Sequence, residues 1–217
     1  MIGSSRVTLP VVAAAVAVVA FGPDSGVLRA QEPALALRAG VVGAAPETSL
    51  TIELFRWSTD GERRPLLEAL TAPPSPPDPP AEGRAGRGRG RGRGGPPPTP
   101  IERLAAAIKA APTLGFIWGE GPTGYSIKYA WRSPLPDGRR RVVLVTDRRL
   151  GEHSTAFPAL SGAMAEGEFT AIEMRIDSQG DGEGKASLTT GVVVDASANT
   201  LAIDGYAAAP VLLRVTR

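Results

Sequence analysis

The chain has 217 residues, no cysteine and one histidine, which excludes disulfides, thiolate metal centres and His-rich metal sites. Residues 72–99 carry +3 and residues 1–30 carry +1 of a total of +2, so the rest stands at −2. The basic character is local, which argues against a general basic surface for nucleic acid or anionic membrane.

Residues 1–30 read as a secretory signal peptide. Arg6 lies in a short basic start. Val7–Phe21 form an apolar run broken only by Thr8 and Pro10, and Ala30 precedes the polar step Gln31–Glu32. That order of charge, apolar core and small exit residue marks export. The run is shorter than the ~20 residues a spanning helix needs, so cleavage rather than anchoring is expected. Leu28 occupies a place where a small residue is preferred, and cleavage after Ala20 is the alternative. The mature chain of about 187 residues is then one domain, periplasmic or extracellular, with no transmembrane segment.

Residues 31–47 carry little pattern and read as a flexible lead-in, with one short strand near Leu35–Val42. From Leu50 to Trp57, Ile52 and Leu54 alternate with Thr51, Glu53 and Phe55, as in a strand. Thr59 and Glu62 then form a capping box that starts a helix carrying Leu66, Leu67 and Leu70. Pro65 fits such a helix only in its first turn.

Residues 72–98 hold nine prolines and a Gly–Arg alternation. Proline favours extended backbone and glycine leaves it free, so this stretch is expected as a disordered insert in the single domain 48–217. Thr99–Pro100–Ile101–Glu102 gives a second capping box. Its helix runs to about Ala111, with Ile101, Leu104 and Ile108 on its apolar side and Pro112 as its stop.

Beyond residue 113 the pattern is β. Strands are expected at Thr113–Trp118, Tyr125–Arg132, Arg141–Thr146, Glu168–Ile176, Lys185–Val194, Thr200–Ile203 and Val211–Val215. Pro136–Asp137–Gly138 makes one turn, and Asp177–Gly184, Asp195–Asn199 and Asp204–Pro210 make others. Residues 147–165 read as irregular. The expected fold class is α+β: an antiparallel sheet or barrel-like meander of seven or eight strands, covered by two helices and interrupted by the insert. Periodicity alone leaves closure of the sheet open.

Several blocks together resemble an uncharacterised family of exported bacterial proteins. They are Arg56–Trp57–Ser58–Thr59–Asp60 with Glu62–Arg63 and Leu66–Leu67; Leu135–Pro136–Asp137–Gly138 with Val143–Leu144–Val145–Thr146–Asp147–Arg148; and Ile172–Glu173–Met174–Arg175–Ile176–Asp177 through Gly182–Glu183–Gly184–Lys185. The resemblance spans about residues 50–217. It implies an exported protein, and it carries over no activity, cofactor or site residue. The long insert departs from the pattern, where a shorter helical connection is usual.

The candidate binding residues are Tyr125, Tyr129 and Trp131, whose period of two puts them on one strand face, suited either to a core or to a ligand pocket. Arg84, Arg87, Arg89, Arg91 and Arg93 read first as a solvated spacer held extended by charge and proline, and alternatively as contacts to an anionic polysaccharide, lipid headgroup or acidic protein. No aromatic residue interleaves with them, and export removes the usual RNA partners, so nucleic acid is not the expected partner. His153 beside Glu152 and Ser154 does not make a triad, because sequence neighbours point apart. The stretch Pro158–Gly162 lacks the first glycine of a nucleophile elbow. In Asp177–Glu183, glycines stand at several positions where a calcium loop needs oxygen ligands, and a hairpin turn fits better. Glu166, Glu168 and Glu173 are the carboxylates that glycoside chemistry would need, but their spacing alone makes no pair.

The sequence nominates no catalytic residue, metal ligand or cofactor. Its leading expectation is an exported binding or envelope-associated module with an unknown ligand or envelope component as partner. A carboxylate-dependent hydrolase of a cell-envelope polymer is the alternative, and an adhesion protein using the Arg–Gly loop on anionic polymer is the third reading.

Overall fold

Alternating apolar and polar residues make ten strands among the described residues, and eight of them close into one antiparallel barrel. The computed structural model describes residues 32–43, 48–73, 97–119, 124–151, 168–188, 191–209 and 211–217. The expected signal peptide and nearly all of the Pro/Gly/Arg insert lie outside the described residues. The strands are β1 (Leu35–Val41), β2 (Ser49–Leu54), β3 (Gly115–Trp118), β4 (Tyr125–Pro134) and β5 (Arg140–Thr146), followed by β6 (Thr170–Ile176), β7 (Gly182–Leu188), β8 (Val192–Asp195), β9 (Thr200–Ile203) and β10 (Val211–Thr216). Around the barrel the order is β1-β10-β7-β6-β5-β4-β3-β2, and β1 pairs back with β2. A separate hairpin, β8–β9, lies outside it.

The barrel interior is filled by side chains. Leu37, Ala39, Leu50, Ile52, Leu54, Ile117, Ile127, Leu144, Ile172, Met174, Leu213 and Val215 are buried there. An eight-stranded barrel is just wide enough for such filling. A Cβ on Gly184 would sit 2.9 Å from Met174 Cγ, so this glycine makes room for the methionine.

A second apolar cluster lies on the outer face of β4–β5–β6. Helices α1 (Asp60–Thr71) and α2 (Pro100–Ala110) and the β8–β9 hairpin supply Leu66, Leu67, Leu104, Ile108, Val192, Leu201 and Ile203. They meet Tyr129, Val143, Val145, Phe169 and Ala171 from the barrel. β5 and β6 are thus covered on both faces, which is why Val142–Val145 read as an unbroken apolar run.

Both helices start as their capping boxes predict. Thr59 accepts from the Glu62 N–H and Glu62 reaches back to the Thr59 N–H, and Thr99 and Glu102 repeat this. Pro65 corrects the expectation. It lies inside α1, one turn beyond the start, where it withholds a hydrogen bond from the Gly61 carbonyl. At the far end of α1, Arg103 of α2 donates to the carbonyls of Ala69 (3.1 Å) and Ala72 (2.8 Å) and also to that of Pro98 (3.0 Å). One guanidinium therefore holds both ends of the insert. No helix among the described residues is long and apolar enough to cross a membrane.

Two expectations about strands are corrected. The strand expected near Leu35–Val42 is present as β1, but it belongs to no flexible lead-in, because it pairs with both β2 and β10 and completes the ring. Lys185–Val194 is not one strand. β7 starts earlier, at Gly182, and stays in the barrel, while β8 belongs to the outer hairpin. Gly182 is a strand glycine rather than a turn residue: a Cβ there would sit 2.1 Å from the Arg175 carbonyl oxygen.

Candidate functional site

The aromatic stripe on β4 divides between the two cores. Tyr125 is buried in the barrel, and its hydroxyl accepts from the Gly151 N–H (3.2 Å). Tyr129 is buried in the outer layer, and Trp131 packs half-buried beside it. The cause is a bulge: Ile127 pairs with Thr146 and Tyr129 with Val145, so one extra residue, Lys128, stands opposite no partner. A single inserted residue exchanges the faces of a strand. Lys128 is half-buried, and its Nζ donates to the Ala111 carbonyl at 3.0 Å.

Polar pins fix the outer hairpin to this layer. The hydroxyls of Tyr129 and Thr200 share a 2.7 Å hydrogen bond, and the Leu201 N–H donates to Tyr129 Oη at 3.2 Å. Burial pushes the Tyr129 phenol above its ordinary pKa. Glu173, fully buried on β6, accepts from the Ile203 N–H at 3.1 Å, and Arg141 on β5 pairs with Asp195 at 2.7 Å. Asp195 also accepts from Ser197 and the Ala198 N–H, and these partners hold its carboxyl far below the usual range.

Arg63 closes this arrangement under α1. Its guanidinium stacks on Trp131, donates to Asp60 Oδ1 at 2.8 Å and donates to the Asn199 carbonyl. Above it, α1 and the hairpin frame an open cleft of about 540 Å³ lined by Asp60, Arg64, Leu67, Glu68, Thr71 and Val194. Of the expected binding residues, Tyr129 and Trp131 belong to the same outer cluster, neither lines the cleft, and Arg63, which does, stacks on the indole. Tyr125 does not join them.

Among the described residues, Glu168 and Glu173 make no acid–base pair. Glu168 pairs with Arg149 at 3.0 Å. Five residues of extended chain separate it from Glu173, roughly 15 Å, well beyond the separation glycosidases use. Asp177 accepts the N–H groups of Gln179, Gly180 and Asp181, with Gly180 at a positive φ of 100°, so this segment is the turn between β6 and β7. Among the described residues no group of three or more His, Asp or Glu could hold a metal ion. Arg84, Arg87, Arg89, Arg91, Arg93, His153, Ser161 and Glu166 lie outside the described residues.

Sequence reasoning missed the outer face of β1, β2, β3 and β10. Phe55 and Trp118 are 47% and 36% exposed. Phe55 meets Phe116 edge-on at 5.9 Å, and Phe116 meets Trp118 at 5.5 Å. The signal was present: Phe116 and Trp118 flank the inward Ile117, so aromatic rings occupy positions that solvent-facing alternation gives to polar residues. Beside them, Arg38, Val42, Ser49, Arg214 and Thr216 surround a shallow hollow of about 520 Å³ over Gly40. Comparison of the chain with models of known families, with curated proteins and with solved structures returns no match.

Proposed function

We propose that the chain is an exported, non-catalytic binding module that works in the periplasm or outside the cell on a component of the envelope. The observation that supports it is how its described carboxyl groups are held: Glu168 pairs with Arg149, and the buried Glu173 accepts from the Ile203 N–H and lies 3.6 Å from Arg175. Glu62, Glu102, Asp137, Asp177 and Asp195 all have lowered pKa values, through hydrogen bonds chiefly from Arg56, Thr99, Arg139, Asp181 and Ser197 in turn. A hydrolytic general acid needs the opposite shift. Export rests on the pattern of residues 1–30, and the family resemblance of the three sequence blocks agrees with it.

Co-sedimentation with isolated cell-envelope polymer, followed by assay of the supernatant for released sugar, tests the reading. Retention without release is the expected result. Release that disappears in a Glu→Gln variant would establish the hydrolase instead. Intact protein in the cytosol with residues 1–30 still attached would remove the export half of the proposal.

A further inference from the structure

The strand register arranges the missed face in rows that cross the strands. Thr216, Arg38, Thr51 and Trp118 stand side by side on β10, β1, β2 and β3. The next row is Arg214, Gly40 and Ser49; on the other side stand Ala36, Glu53 and Phe116. At a strand spacing of ~4.8 Å, Arg38 and Trp118 are about 10 Å apart. Arg38 and Arg214 are exposed, and neither makes an ion pair with another described residue. Gly40 between them has no side chain, which leaves the hollow open.

We propose that this face binds a strand of acidic polysaccharide laid across β10, β1, β2 and β3. Sugar rings stack on Phe116 and Trp118, and acid groups meet Arg38 and Arg214. The inference rests on the binding-module reading and adds to it a site and a ligand class. A pyranose ring offers an apolar C–H face that matches an aromatic ring. Its rim of hydroxyls matches Ser49, Thr51, Thr216 and Glu53. A uronic or sulfated unit supplies the anion that a guanidinium fork binds in two places. Charge and ring lie about two sugar units apart along a row, a spacing that a linear polymer satisfies.

The same residues fit other occupants less well. Phe116 is half-buried and Trp118 lies on a sheet face, whereas insertion into a lipid interface needs an apolar face that can sink past the headgroups. Pairing of two copies through this face would bring four guanidiniums into one interface with Glu53 as the nearby carboxylate. Like charges brought together in this way oppose association.

The test is a titration of the full chain with polygalacturonate, read by tryptophan fluorescence and calorimetry. Neutral dextran and vesicles of phosphatidylglycerol and phosphatidylcholine are the comparison ligands, and sedimentation gives the oligomeric state. Polygalacturonate is expected to bind at least about tenfold more tightly than dextran. Trp118→Ala, and separately Arg38→Gln with Arg214→Gln, should each weaken it about tenfold. All three positions are exposed, so melting temperatures should hold and report intact folding. Trp118→Ala keeps every arginine of residues 84–93, so its loss of affinity reads the barrel face and not the Arg–Gly segment.

Absence of polygalacturonate binding overturns the proposal. So does vesicle binding in its place, or a dimer that Trp118→Ala dissociates. Polymer bound intact but unaffected by either variant removes this site while the module reading stands. Polymer bound and cleaved removes the non-catalytic reading, and the variants still decide whether this face is where it binds.

Discussion

The guanidinium of Arg63 sits 3.7 Å from the ring centroid of Trp131, on the side of the indole that faces α1. The same group bonds Asp60 and the Asn199 carbonyl, so one side chain ties a helix, a barrel strand and the outer hairpin together. Arg63→Ala should destabilise the fold by about 2 kcal/mol, from the lost stack and the unmatched carbonyl. Arg63→Lys keeps the charge without the planar fork and should recover less than half. Urea unfolding followed by tryptophan fluorescence measures both. A midpoint unmoved by Arg63→Ala would show that the clasp adds nothing.

Acid should weaken the start of α1. Glu62 accepts from Arg56 and from the Thr59 N–H, and these bonds lower its pKa from 4.5 to about 2. A carboxyl depressed on folding adds stability that is present above its unfolded pKa and fades as pH falls through the folded value. The gap between wild type and Glu62→Gln should therefore be widest above pH 5 and close between about pH 4.5 and 2. Arg56 is largely exposed, so screening limits the ion-pair share to ~1 kcal/mol. Denaturant titrations at several pH values give the difference directly.

Two glycines should respond oppositely to alanine. A Cβ on Gly115 would lie 2.2 Å from the Glu53 carbonyl oxygen and 2.7 Å from Leu54 Cα. Both obstacles are backbone, so β2 and β3 must part. Gly115→Ala should cost more than about 3 kcal/mol or prevent folding. Gly61, in the first turn of α1, has open space around it. Gly61→Ala should stabilise by up to ~1 kcal/mol through helix propensity. Thermal melts of the two variants suffice.

The insert should be removable. Arg103 holds the carbonyls of Ala72 and Pro98 with one guanidinium, so the chain leaves and returns at nearly the same point. Replacing residues 74–96 with four Gly/Ser residues should leave the barrel folded. Stability should rise by about 1 kcal/mol, because a shorter loop costs less to close. Unfolding of the shortened chain would mean that the segment contributes to the core.

The elements were legible wherever a local rule sufficed. Thr59/Glu62 and Thr99/Glu102 announced both helices, and alternation announced nearly every strand. Closure was not legible, because it depends on Arg38 meeting Thr216 across almost the whole chain, and no window of sequence contains that pairing. The split of Tyr125 from Tyr129 was hidden for a related reason: Lys128 keeps the alternation of residue types while the backbone bulges and changes faces. Gly182 misled because the same residue type serves turns and close strand contacts. The outer-face rings of Phe116, half-buried, and Trp118, exposed, are not legible as a surface because aromatic residues in a strand are ordinarily assigned to the interior.

Pairing of β1 with β10 also governs how the molecule must assemble. Until Val211–Thr216 dock, β1 and β7 are bare edges, each a template for a neighbouring chain. Contacts so distant in sequence form slowly. A nascent or truncated polypeptide lacking its last strand is therefore an aggregation hazard, and the final six-residue element acts as the latch that ends that exposure.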